Sequence, residues 1–276
     1  AEIPEALAAK KKFGAPTVQT RHDPGPLPAH TIAGLDAIVG VSQSITELFE
    51  SIVKQKNIPI KTVSFIPPVF DDAKFRTYAS TESRSDFFKK NFSITIAPHP
   101  VITMIAHFSE NKNHQLLLHA AATLIHQKHK PITIMLAGSG ALLEETKALA
   151  KTLNLEQYVC FLGNTDQAPG LLHHSDMLVL TSRNEAFGIV YLEAGLAKKP
   201  AIGSSQTGAE TSIIHEQTGL IFKNNNLDDL VCQLERLIDN PVWAQQLGQR
   251  AFEHVTTNFM PNITFATYEK LYQDLA

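Results

Sequence analysis

Cysteine is scarce: two residues in 276. Cys160 and Cys232 stand alone in apolar surroundings. They spell out neither a disulfide framework nor a thiolate metal site, and read as buried small hydrophobes in a reducing compartment. No apolar run approaches the roughly 20 residues of a membrane-spanning helix. The visible N-terminus lacks a secretory signal pattern, so a cytoplasmic location is the expectation. Basic excess is also missing. Lysine and arginine number 24 against 27 acidic residues, a net charge of −3, which excludes an overall positive field for nucleic acid. Lys10, Lys11 and Lys12 form a run shorter than the about 4–8 basic residues of a lipid-binding cluster, and read as the solvated end of an opening helix expected over 2–13. The twelve histidines show no paired-ligand spacing. His173 and His174 are adjacent, so a helix would turn them to different directions. No metal is expected, and most histidines read as surface residues. At 43% hydrophobic and 18% charged residues the chain carries no disorder signature. It shows no low-complexity segment or solenoid repeat.

What is present is a rhythm of short apolar runs and longer helical stretches, in a chain long enough for one large or two medium domains. Strands are expected at 16–21, 36–41 and 61–66. Between the last two, 45–56 reads as a helix with Leu48, Ile52 and Val53 on one face. Ser44 is its expected cap, paired with Glu47 in a capping box. Pro67-Pro68 ends the third strand, and no clear period follows until Val101, so 69–100 reads as a linker. A second series is more regular, with strands expected at 101–106, 132–137, 158–162, 177–181, 200–203 and 219–222. These runs are apolar throughout, as in parallel strands covered on both faces. Helix 112–128 carries Leu116, Leu117, Ala120, Ala121, Leu124 and Ile125 on one stripe. Helix 141–153 does the same with Leu142, Thr146, Leu149 and Leu153. Three helices close the chain, at 227–239, at 241–256 and after Pro261, with prolines suited to first turns. Alternation of this kind predicts doubly wound parallel α/β architecture, whose ligands bind beyond the carboxyl ends of the strands.

The stretch from Thr181 to Pro200, TSRNEAFGIVYLEAGLAKKP, carries the strongest chemical signal. A strand ends at Thr181 and a helix is expected from about Gly188 to Lys198. A helix start offers free amides and partial positive charge, suited to a phosphate, and glycine lets backbone approach a ligand closely. Glu185, just ahead of that end, can accept from sugar hydroxyls. Glu193, about two turns into the helix, can accept from a ribose diol. Two bare glutamates also fit a solvated helix face; their surroundings decide between the readings. Gly138-Ser139-Gly140 follows a strand and opens a helix, which alone is as compatible with a simple tight turn.

Those surroundings, Glu185-Ala-Phe187-Gly188-Ile189-Val-Tyr-Leu-Glu193, resemble the E-x7-E signature of the group-one, or family-four, retaining glycosyltransferases. The likeness extends along the chain. Gly138-Ser139-Gly140 resembles that family's donor loop, and Val159-Cys-Phe-Leu162-Gly163 the segment beside the nucleobase. Asp176 to Ser182 resembles its serine-ended strand, and Gln206-Thr207-Gly208-Ala-Glu210 a segment lending amides near the donor. Asp36 to Ser42 resembles a strand of the first domain, and Tyr268 to Leu275 the closing helix that crosses back to it. One motif departs. Where the family carries Gly-Arg-Leu-x-x-x-Lys-Gly, this chain reads Ala106-His107-Phe108-Ser-Glu-Asn-Lys112-Asn113. Lysine is kept, but arginine, a permanently charged bidentate fork, has become histidine. A pH-dependent donor affinity is the expectation.

The resemblance implies a GT-B fold of two Rossmann-like domains facing a cleft. Residues 1–68, joined by 261–276, would form the acceptor-side domain, and 101–260 the donor domain. About three βα units of the first domain are expected upstream of residue 1, so that domain reads as truncated and its edge as needing a cover: a partner chain, a dimer contact or a peripheral membrane contact. The implied reaction moves a sugar from a UDP-, GDP- or ADP-sugar to an unidentified hydroxyl acceptor with retention, in glycan, polysaccharide or glycolipid synthesis, without metal or other cofactor. Glu185 and Lys112 are the implied catalytic residues. His107, Gly138, Ser139, Gly140, Leu162, Gly163, Phe187, Gly188, Ile189, Glu193, Thr207 and Gly208 are the implied donor contacts. His22 matches a later strand end and is given no catalytic role. A non-catalytic nucleotide-sugar-binding fragment and a nucleotide-sugar epimerase on the same fold remain as alternatives.

Overall fold

A computed structural model describes residues 11, 12, 14–23, 32 and 34–276. Of the expected opening helix over 2–13, and of the lysine run, only Lys11 and Lys12 fall among the described residues; both are helical and exposed. The chain forms two compact units. One takes the sequence up to Phe70 together with Asn258–Ala276, and the other is Asp71–Thr257.

Among its described residues the first unit holds three parallel strands, β1 (Val18–Arg21), β2 (Ala37–Gly40) and β3 (Thr62–Phe65), in the order β1-β2-β3. Only the central β2, AIVG, is buried along its whole length. Helix α1 (Gln43–Gln55) packs on it. Its cap is Ser42, not Ser44: the Ser42 Oγ accepts the Ile45 amide. The shifted start turns Ile45, Thr46 and Phe49 inward and leaves Leu48 exposed. The closing helix Pro261–Leu275 belongs to this unit. Its Leu271 and Leu275 join Ala37, Val39 and Ile66 in one cluster, and Tyr268 bonds Thr20 at 3.0 Å.

The second unit is a six-stranded all-parallel sheet: β4 (Val101–Ile105), β5 (Thr133–Ala137), β6 (Val159–Gly163), β7 (Met177–Val179), β8 (Ala201–Ser204) and β9 (Gly219–Phe222). The order is β6-β5-β4-β7-β8-β9. Sequence-adjacent strands run outward on each side of a reversal between β4 and β7, the doubly wound pattern. The stripe from Leu116 to Ile125 is buried, but it lies on an α-helix, His114–Ala122, that widens into a π-turn over Thr123–Gln127. Helix Leu143–Thr152 buries Thr146 and Ala150, with Leu142, Leu149 and Leu153 only partly covered.

The segment 69–100 is not a linker beyond its first two residues. It carries helices Ala73–Arg76 and Arg84–Phe92. The second is capped by Ser83, whose Oγ accepts the Asp86 amide. It buries Phe87 and Phe88 against Val101, Met135, Ala137 and Leu171. Arg84 forks onto the Asp176 carboxylate at 2.8 and 2.7 Å. The helix is short and its aromatics sit side by side, so no 3.6-residue period shows in the sequence. The cysteines also depart from expectation: Cys160 is half-buried and Cys232 exposed. Among the described residues two histidines, His114 and His174, are buried.

Candidate functional site

In a doubly wound sheet the loops leaving the strands part where the order reverses, and open a crevice at the carboxyl ends. Here that point lies between β4 and β7. The loop after β4 brings Lys112 and the loop after β7 brings Glu185, 73 residues apart in sequence. The Lys112 Nζ donates to the Glu185 Oε2 at 2.5 Å. The Ser182 hydroxyl donates to the same oxygen at 3.1 Å. Glu185 is 9% exposed, so its charge depends on these donors.

The two loops are sewn together by residues the sequence did not single out. Asn111 accepts the Asn184 amide and donates to the Asn184 carbonyl, at 2.9 and 2.7 Å. Its own carbonyl accepts the Arg183 amide at 2.7 Å. The Thr181 hydroxyl lies 3.0 and 2.9 Å from the carbonyls of Lys112 and Asn113. An asparagine in a polar loop gives no sequence signal of this kind, because its partners are set by strand order.

Helix Ile189–Leu196 starts above this pair. Its N-cap, Gly188, has φ 81° and no side-chain cap, so the amides of Ile189 and Val190 have no intrahelical or side-chain acceptor, while that of Tyr191 donates to the Gly188 carbonyl at 2.9 Å. A Cβ at 188 would lie 2.4 Å from the Tyr191 ring and 3.3 Å from the Glu185 Cγ, so glycine is required by space and by torsion. Tyr191 is buried, and burial holds its phenol well above its ordinary pKa, with the Glu185 charge adding to this. Phe187 is buried, and Ile189, the first helical residue, is exposed. Gly208 backs the turn: its amide donates to the Glu185 carbonyl at 2.6 Å, and a Cβ there would meet the Ala186 carbonyl oxygen at 2.1 Å. Thr207 is buried, its hydroxyl donating to the Ser204 carbonyl. Glu193 is the fifth residue of this helix, a little over one turn in rather than two. It is half-buried, and burial, with the nearby charge of Asp71, raises its pKa to about 7.

The glycine loop lies on the other side of β4. Gly138 has φ 139° and Gly140 φ 153°. The Gly138 amide donates to the Gly163 carbonyl at 2.8 Å, and the Ser139 carbonyl accepts the Phe108 amide at 2.8 Å. A Cβ on Gly138 would stand 2.1 Å from the Ala106 carbonyl oxygen. His107 is exposed, and its amide nitrogen is 3.7 Å from that same Cβ position. His107 and the glycine loop are thus neighbours, as are Lys112, Glu185, Gly188 and Gly208. Leu162 differs: its side chain packs on the Phe87 and Phe88 cluster, so only its backbone is left for a ligand. Beneath the β4 loop, His114 stacks on Phe108 with ring centroids 4.0 Å apart. Burial, then the charge of Lys112, lowers its pKa to about 4, so it stays neutral. Among the described residues no three His, Cys, Asp or Glu side chains gather as metal ligands.

The family described as "Glycosyl transferases group 1" matches residues 86–254, more than half of the chain. The N-acetyl-alpha-D-glucosaminyl L-malate synthase of Bacillus anthracis is 27% identical over 238 residues, covering 86% of this chain and 61% of that protein. A GDP-mannose-dependent alpha-(1-6)-phosphatidylinositol monomannoside mannosyltransferase of Mycobacterium tuberculosis is 24% identical over 237 residues, covering 82% of this chain and 58% of its own. The chain therefore spans about three fifths of the length of these two relatives. Anabaena HepE, solved with UDP and glucose, superposes with a TM-score of 0.81 at 20% identity, over 98% of this chain and 75% of that one. The shared architecture is the GT-B α/β fold. The matched span contains the whole six-stranded sheet, the Lys112–Glu185 pair and both signature glutamates, and the chain belongs to the group 1 glycosyltransferases.

Proposed function

We propose that the protein transfers a sugar from a nucleoside diphosphate sugar (UDP-, GDP- or ADP-linked) to a hydroxyl acceptor, with retention at the anomeric carbon. The observation that carries this reading is the Lys112–Glu185 pair at the reversal of the sheet, under an uncapped helix start. In the reaction the bond from the anomeric carbon to the diphosphate oxygen breaks, and negative charge builds on the leaving diphosphate. The Lys112 ammonium and the open amides after Gly188 are set to meet that charge before it forms, which is where preorganised donors contribute most. Glu185, held by Lys112 and Ser182, takes the hydroxyls of the transferred sugar. Glu193 takes the ribose hydroxyls, and Gly138 and Gly140 let backbone close on the nucleotide. His107 lends a phosphate contact where an arginine would be stronger. No metal is needed, since lysine, histidine and helix amides carry the charge.

The relative named as a phosphatidylinositol monomannoside mannosyltransferase supports a role in glycan, polysaccharide or glycolipid synthesis, and the one named as an N-acetyl-alpha-D-glucosaminyl L-malate synthase supports a hydroxyl acceptor. No helix among the described residues is long and apolar enough to cross a membrane. We place the work in the cytoplasm, with a peripheral membrane contact where the acceptor is a lipid. Calorimetry of the whole chain against UDP, GDP and ADP tests the donor site: one of the three should bind. A folded sample that binds none overturns the reading. Product analysis by NMR with the matching nucleotide sugar and simple alcohols then reports whether the anomeric configuration is kept.

A further inference from the structure

The opposite end of the six-stranded sheet holds a second concavity, of about 480 Å³. That is within the range of pockets that take small organic molecules. It lies where the chain enters β4, β7 and β8, against the end of helix Leu227–Asp239 and the start of helix Pro241–Asn258. Part of its wall is stiff and apolar, with Pro98, Pro100, Pro200 and Pro241 beside Leu237 and Ile238. Proline fixes the backbone torsion, so such walls cost little to order around a ligand.

The polar lining is predominantly cationic. Arg84, Lys198 and Lys199 face the cavity with His99, against one acid, Asp176. That acid is already engaged: both oxygens take the Arg84 fork, and one also accepts the Val101 amide at 2.7 Å. Lys198 places its ammonium 5.0 Å from the Phe252 ring centre. Lys199 is half-buried and makes no hydrogen bond or ion pair with a carboxylate among the described residues. Burial, offset in part by Asp176, lowers its pKa. A half-buried cation without a direct partner is costly unless something of opposite charge meets it.

We propose that this pocket binds an amphipathic organic anion, a phosphate monoester or carboxylate on an apolar body, with the charge on Lys199 and Lys198 and the body against the proline wall. The site lies at the strand ends opposite the donor crevice and does not depend on the reading of that crevice. A phosphate of this kind can come from a soluble metabolite or from a lipid headgroup.

Phenyl phosphate is a suitable soluble probe, with phenol as its neutral counterpart. Phosphatidylcholine vesicles with and without phosphatidic acid are the membrane probe. Calorimetry of the whole chain should show saturable binding of phenyl phosphate and none of phenol. Lys199→Gln, shown folded by circular dichroism, should weaken the binding by about tenfold, the scale of one charge-assisted hydrogen bond. Lys198→Gln, at an exposed residue, should weaken it less and serves if the first variant does not fold. Binding of phenyl phosphate sensitive to these changes assigns a soluble ligand. Binding only to phosphatidic acid vesicles, equally sensitive, assigns a lipid headgroup. A folded protein that binds neither probe, or binds them regardless of Lys199→Gln and Lys198→Gln, overturns the proposal.

Discussion

The two ends of the six-stranded sheet are built from opposite residues. At the amino ends the chain enters through proline: Pro100 before β4, Pro131 two residues before β5 and Pro200 before β8. At the carboxyl ends it leaves through glycine with positive φ: Gly138 after β5, Gly163 closing β6 and Gly188 ahead of the helix after β7. Proline can enter a strand because its missing N–H precedes the ladder, and its fixed torsion lowers the entropy of the unfolded chain. Glycine lets amides come within reach of a ligand, and the unfolded chain gains freedom in return. One end spends conformational restriction on rigidity, and the other gives it up for close approach. The difference suits a ligand met by backbone amides to the glycine end, and leaves any ligand at the proline end to be held by side chains.

The sharpest way to break this contrast is Gly138→Val. With a Cβ contact of 2.1 Å at the Ala106 carbonyl, this change should cost on the order of 3 kcal/mol and remove nucleotide binding. An unchanged urea midpoint would show that the glycine end is not constrained. Lys112→Met comes next. It strands a carboxylate that is largely buried, and with Lys112 24% exposed the expected loss is about 2 kcal/mol. Lys112→Met combined with Glu185→Leu should recover most of that stability, yet leave nucleotide-sugar binding lost. Recovery of both would place the pair's role in folding alone.

Glu193 gives a pH test. Folded, it keeps its proton up to about pH 7 against a reference of 4.5. Between those values the folded chain therefore binds more protons than the unfolded one, and stability falls as pH rises. Glu193→Gln should flatten that slope, by roughly 1–2 kcal/mol across the window. It should also abolish a tightening of nucleotide binding as pH rises through 7, where the carboxylate forms. A wild-type stability curve flat from pH 4.5 to 7 would show that Glu193 is solvated. His107→Arg should tighten an intact nucleotide sugar by about fivefold, the scale of one partly exposed charged contact, and His107→Ala should weaken it. Equal affinities for all three proteins from pH 5.5 to 8 would make His107 a bystander. Smallest is Pro131→Ala, at an exposed position on the amino side. It should cost under about 1 kcal/mol and leave nucleotide affinity untouched.

The second unit was the more legible from sequence because its strands are apolar along their length and its helices keep a clean stripe. The helix over Leu227–Asp239 was readable to the residue, since Asn226 caps it and Asn240-Pro241 follows its last residue. Four features were hidden for physical reasons. Ser42 and Ser44 are equivalent caps on paper; the turn after β2 decides between them. The helix over Arg84–Phe92 has three phenylalanines in six positions, which reads as no period until a sheet face is there to receive them. Lys112 and Glu185 were each recognisable within a motif, but their contact follows from β4 and β7 being neighbours, a property of strand order. The raised pKa of Glu193 depends on burial in the folded unit and on the charge of Asp71, neither of which its own helix shows.

The docking of Phe87 and Phe88 on the sheet bears on how this chain can be divided. A fragment of the second unit cut at the first residue of β4 would leave Val101, Met135 and Leu171 without their cover and Asp176 without Arg84. Such a piece would be prone to self-association through the bared apolar face. Cut at Asp71 and Thr257, where the chain passes between its compact units, the piece keeps its own lid. A swap of donor specificity between relatives should exchange that longer segment as one inherited block.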